Sequence, residues 1–112
     1  MDILAELVPY LATRLDCPVM TERPEKPPAR IVIVRRTGGR GDRFVDRPRV
    51  LIHCWDVSDE AAAALCYQVS TFMLSAADKI TNLTMCTQDS IYQNNLDGKN
   101  RWSASFDLVT NR

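Results

Sequence analysis

The chain has one histidine, no two cysteines at CxxC spacing and only four glycines. No apolar run approaches the roughly 18 residues that a membrane helix needs. Each scarcity removes a class of function. Cys17, Cys54, Cys66 and Cys86 are scattered, and His53 sits directly beside Cys54 inside an apolar run. Neighbouring residues on a strand point to opposite faces, so His53 and Cys54 do not grip one metal together, and no zinc spacing is present. No metal and no cofactor are therefore expected. The opening residues, Met1-Asp2-Ile3-Leu4-Ala5-Glu6, are acidic, and no small-residue cleavage site follows them. Neither export nor membrane insertion is expected, and the thiols should stay reduced. The same reasoning makes the sequon Asn82-Leu83-Thr84 and the tripeptide Arg40-Gly41-Asp42 coincidental.

Catalytic signatures are missing too. There is no nucleophile elbow, no HExxH and no P-loop, and the glycines at 38, 39 and 41 are followed by no Lys-Ser or Lys-Thr. Carboxylates are spread singly, although residues from separate segments can still meet in space. The expectation is a protein that is not an enzyme.

What is present is an ordinary globular composition. With 46% hydrophobic and 25% charged residues, a chain of 112 residues should fold and bury one core, so a single domain is expected. Leu4, Leu7, Val8, Leu11 and Leu15 recur at helical spacing, which predicts an amphipathic helix over 2–15. Pro9 should either kink it or delay its start to about Leu7. A proline-rich connector, 17–29, follows, with at most a short edge strand around Val19. The β-branched run Ile31-Val32-Ile33-Val34 reads as a strand buried on both faces, and Arg49 to Asp56 as its partner, giving a hairpin over 30–56. Between them Thr37 to Arg47 reads as a mobile, glycine-rich loop of 11 residues.

Ser58 can cap a helix over 58–77, with Asp59 and Glu60 at its positive end. The expected inward face is Ala62, Leu65, Val69, Phe72, Met73 and Ala76, each large side chain contributing roughly 1.5–3 kcal/mol when fully buried. Strands are expected at 80–92 and 101–111, joined by a turn at Asn94-Asn95-Leu96-Asp97-Gly98. In the last strand Trp102, Ala104, Phe106 and Leu108 fall on one face, which should be core. The whole reads as an α+β domain: a mainly antiparallel, mixed sheet of about four to five strands covered by two helices.

The net charge is zero, but its distribution is uneven. Residues 30–49 hold seven arginines, Arg30, Arg35, Arg36, Arg40, Arg43, Arg47 and Arg49, against Asp42 and Asp46 alone, so the rest of the chain carries the balancing negative excess. Such a segment can bind phosphates, dock on the acidic remainder of an identical neighbour, or simply be solvated. The neutral total, Phe44 as the loop's lone aromatic, and the lack of a binding motif weigh against a dedicated nucleic-acid module.

Several stretches carry a resemblance. Val32-Ile33-Val34-Arg35-Arg36-Thr37-Gly38-Gly39, a charged loop, Asp46-Arg47-Pro48-Arg49-Val50-Leu51-Ile52-His53-Cys54-Trp55-Asp56 and an alanine-rich helix together resemble the tail terminator family of siphophages, especially versions from phages of actinobacteria. Tyr92-Gln93-Asn94 with Gly98 and Arg101-Trp102 resembles that family's turn into its final strand, and Pro18 to Pro28 its N-terminal connector. Relatives often carry an Asp-Pro step where this chain has Asn95-Leu96-Asp97. The resemblance implies a structural protein that forms a ring, typically a hexamer, on the end of the tail tube. Such a ring stops polymerisation and offers a surface to the head-completion or connector protein. It also implies a location in the host cytoplasm during assembly and then at the head-proximal end of the virion tail, with non-specific contact with passing DNA as a further option. A head-to-tail connector or other neck protein is the alternative, and a nucleic-acid-binding module acting through the arginine-rich hairpin is a more distant one. Arg35, Arg36, Arg40, Asp42, Arg43, Asp46 and Arg47 are the expected contact residues toward a neighbouring subunit, a partner protein or the DNA channel.

Overall fold

A computed structural model describes residues 2–95 and 98–111. The chain begins with α1 (Ile3–Ala12), which Asp2 caps by accepting a hydrogen bond from the Leu4 N–H. The helix runs unbroken through Pro9 and so starts well before Leu7. Pro9 and Ala5, the residue whose carbonyl loses a helical donor to proline, are both exposed, so water can serve that carbonyl. Leu7 and Leu11 are buried as expected, whereas Leu4 and Val8 lie at the margin and Ile3 and Tyr10 fill the inward face instead. The helix ends at Ala12, and Leu15 reaches the core from the turn beyond it.

The sheet has five strands: β1 (Val19–Met20), β2 (Ile31–Gly41), β3 (Val45–Trp55), β4 (Leu83–Gln93) and β5 (Arg101–Asn111), in the order β1-β2-β3-β5-β4. The two-residue β1 pairs parallel to β2, and every other pairing is antiparallel. The fold is thus the expected α+β domain, and the short edge strand at Val19 is present. The strand expected from residue 80 starts at Leu83, and Ile80 instead plugs the core from the turn before it. Of the predicted turn at 94–98, Leu96 and Asp97 lie outside the described residues.

The second helix, α2 (Asp59–Leu74), is capped by Ser58, whose hydroxyl accepts from the Ala61 N–H, and a 3₁₀ turn at Ala76–Asp78 completes the segment. The α-helix is therefore shorter than the predicted 58–77. Ala62, Leu65, Val69 and Met73 are buried as expected, joined by Cys66 and Ser70, while Phe72 lies only partly buried at the edge of the core. Tyr10 Oη donates to the Phe72 carbonyl at 2.7 Å and ties the two helices together.

Both helices cover the same face of the sheet. Their side chains share one cluster with Val32 and Val34 of β2, Val50, Ile52 and Cys54 of β3, and Ala104, Phe106 and Leu108 of β5. The alternate residues of β2 and β3, Ile31, Ile33 and Trp55, form a separate small cluster on the opposite face. This is why Ile31 to Val34 are all buried: helices shield one pair and the proline-rich connector shields the other, with Arg23 stacked over the Trp55 ring.

Candidate functional site

The predicted 11-residue loop is not a loop. The strands β2 and β3 continue through it, with Gly38 opposite Arg49, Gly39 opposite Pro48, Arg40 opposite Arg47 and Gly41 opposite Asp46, leaving only Asp42, Arg43 and Phe44 as the turn. Glycine is read here as a strand residue for steric reasons. Gly39 has φ +102° and its Cβ position would fall 2.1 Å from the Arg47 carbonyl oxygen, so the two strands can approach only where a side chain is missing. A register shift between Arg36 and Gly38 re-aims the strand at this point.

The extension sorts the candidate residues by face. Along β3, Asp46, Pro48, Val50, Ile52 and Cys54 are buried on the helix side, while Arg47 and Arg49 are exposed on the other. Asp46, only 7% exposed, accepts from Arg36 Nη1 at 2.9 Å and from Arg36 Nη2 at 3.0 Å. This fork-on-fork pair raises the Arg36 pKa further, first through its hydrogen bonds and then through the opposed charges. Asp42 organises the turn: its carboxylate accepts from the Phe44 and Val45 N–H groups, both at 2.9 Å. Three of the seven expected contact residues, Arg36, Asp42 and Asp46, are thus engaged within the hairpin itself.

The other four are presented outward. Arg35, Arg40, Arg43 and Arg47 are exposed and form no ion pair among the described residues. At the turn Phe44 is 72% exposed, with the Arg43 guanidinium 5.6 Å from its ring centre. Arg40 and Arg47 also line an open groove of about 690 Å³ on the helix-free face, together with Arg49, Thr37, Thr87 and Met85. Arg49 is partly neutralised there by Asp107, at 2.9 Å.

Elsewhere on that face the strands carry polar pairs that spacing alone did not reveal. His53 and Ser103, opposite each other on β3 and β5, lie 2.7 Å apart from Nδ1 to Oγ, and Asn94 Nδ2 also donates to that serine. The pair resembles a base and nucleophile, but Ser103 is completely buried, so its hydroxyl is closed to a substrate. The guanidinium groups of Arg23 and Arg101 lie over the Trp55 ring, at 4.7 and 5.4 Å from its centre. The period-two alternation of β3 and β5 was the available signal for His53 opposite Ser103 and for Trp55 beside Arg101, whereas no periodicity placed Arg23 of the connector against the ring.

All four cysteines are free thiols, with no disulfide between them. Hydrogen bonding with Cys66 and burial push the Cys54 thiol well above its ordinary pKa, and burial pushes Cys86 up to about 11. Such thiols carry little thiolate at neutral pH. None of the described helices is long and apolar enough to cross a membrane.

The chain matches no protein-family model and no curated protein.

Proposed function

We propose that this is a structural assembly protein of a long-tailed phage, a tail terminator that caps the tail tube as a ring, ends its polymerisation and presents the tail to the head connector. The observation that carries the reading is the distal half of the β2–β3 hairpin, which bears exposed Arg35, Arg40, Arg43 and Arg47 and whose β2 side, from Arg35 to Gly41, is exposed throughout. A paired hairpin braced by the Arg36–Asp46 ion pair and edged with exposed arginines is suited to meet another subunit. The uneven charge supports this, because a ring joins different surfaces of identical chains, and a basic surface needs an acidic one. The resemblance along β2, β3 and the turn into β5 points to the same family. Its partners would be further copies of itself, most simply in a hexamer, the tail tube protein and the head-completion or connector protein. Its place would be the host cytoplasm and then the head-proximal end of the tail.

The test is electron microscopy of particles assembled without the protein. Tails of uncontrolled length that carry no heads are expected, restored by supplying the chain in trans. Tails of normal length that merely lack heads would favour the alternative, a head-to-tail connector. The arginine-lined groove favours one other reading, contact with nucleic acid. A terminator should bind DNA weakly and without sequence preference, its affinity falling steeply with salt.

A further inference from the structure

The arginine hairpin is one of two surfaces that are incomplete in a single chain. The other is a groove of about 630 Å³ between α1 and β1, floored by Leu4, Val8, Val19 and Met20 and flanked by Asp2 and Glu22. Met20 is 40% exposed within it, and Leu4 and Val8 are only partly covered, so an apolar floor with acidic borders faces solvent. The hairpin tip offers the counterpart, an exposed Phe44 with Arg43 over its ring and with Arg40 and Arg47 on the strands behind it, while the Asp42 carboxylate is taken up by the Phe44 and Val45 N–H groups.

We propose that the hairpin tip of one copy docks in the α1–β1 groove of the next, Phe44 filling the apolar floor and Arg43 meeting Glu22. The inference rests on the ring reading above and supplies its contact. Two arguments select a second copy as the occupant. Charge is complementary: Arg40, Arg43 and Arg47 outnumber Asp42 at the tip, and Asp2 and Glu22 border the groove. Reach is the other. Met20 pairs with Ile33, and the tip lies beyond Gly41, eight positions further along the same strand, so groove and tip of one chain are separated by about 26 Å. A paired hairpin does not fold back across that distance, so a tip seated in the groove belongs to another copy. Because the two surfaces differ, the contact is head-to-tail, the kind that closes a ring when its rotation allows. An aromatic anchor of this kind buries on the order of 150–250 Å², and the arginine–carboxylate contact at its border sets register and partner choice more than affinity.

The experiment places a benzoylphenylalanine photocrosslinker at position 44 of the full chain and maps adducts by mass spectrometry, beside sedimentation of the unmodified protein. Adducts on Leu4, Val8 or Met20 of a second chain are expected. Arg43→Glu should weaken self-association at least about tenfold, and Arg43→Glu combined with Glu22→Arg should restore most of it, since every contact then carries the pair reversed. An oligomer whose adducts map elsewhere, or a double variant as weak as the single, overturns the docking and leaves the ring reading intact. A chain that stays monomeric at every concentration and yields no intermolecular adducts rejects both. Adducts that form on added DNA and not on protein assign the tip to nucleic acid and overturn the proposal.

Discussion

Asp46→Ala should destabilise the isolated domain although it changes a residue in its most charged segment. Asp46 is 7% exposed and takes two hydrogen bonds from Arg36, at 2.9 and 3.0 Å. Removing a partner from a buried ion pair costs about 3–5 kcal/mol when the surviving charge is trapped. Here the Arg36 side chain keeps 36% of its exposure, so its guanidinium can turn to water, and the smaller range for hydrogen bonds to charged groups applies. The expected loss is about 1.5–3 kcal/mol, or on the order of 6–12 °C in Tm for a domain of this size. Urea unfolding should show a lower midpoint at an unchanged slope. In a double-mutant cycle with Arg36→Ala most of the loss should appear as coupling between the two residues. A loss below about 0.5 kcal/mol, the ordinary scale of surface substitutions, would refute the claim that this pair holds the hairpin together.

Three further outcomes follow from packing and burial. Phe106→Ala, in a completely buried position on β5 under the helices, should cost about 3–5 kcal/mol by chemical denaturation, whereas Phe72→Ala should cost roughly half as much because its ring is only partly covered. Gly39→Ala should lower stability by about 1–3 kcal/mol and disturb amide exchange around Arg47 to Arg49, since a Cβ would meet the Arg47 carbonyl and the backbone φ is +102°. Stability should also decline at alkaline pH: Cys86 is raised to about 11 in the folded chain, with Cys54 and Cys17 raised as well, so the unfolded state ionises first as pH passes 9. Denaturation midpoints measured from pH 8 to 11 should fall across that window, and a flat profile would show that these thiols are accessible to water.

Much of the architecture was readable because its periodicities are local. The cap at Ser58, the helix spacing from Leu7 to Leu11 and the alternation through Ala104, Phe106 and Leu108 each report a face that the chain must bury, and all three elements are found. The failures came where tertiary contacts override a local signal. Phe72 has the right spacing for the core but lies where the sheet's cover ends, and Ile80 is apolar because it plugs the end of the core without being in a strand. The ends of both helices were drawn too generously for the same reason. Leu15 and Ala76 are buried from turns, and a buried apolar side chain does not reveal whether its backbone is helical.

The hairpin is the most instructive case, because its residues were noticed and its conformation was not. Glycine and arginine together read as a solvated loop, yet Asp46, Pro48, Val50, Ile52 and Cys54 already alternate with Arg47, Arg49, Leu51, His53 and Trp55. That alternation assigns Asp46 to the buried side and Arg47 to the exposed side, and an aspartate on a buried face needs a cation directly within reach. Arg36, on the same face of the neighbouring strand, meets that need. What remains after this pairing is a purer charge than composition implied. The segment loses an aspartate and an arginine to this pair, while Arg35, Arg40 and Arg47 stand exposed on its paired strands and Arg43 on the turn. Rigidity matters for any contact these arginines make, since a flexible loop would lose conformational entropy on docking and a preformed hairpin does not. The buried pair and the exposed charges therefore have separate consequences: substitutions at Asp46 act on folding, and substitutions at Arg43 act on what the folded hairpin meets.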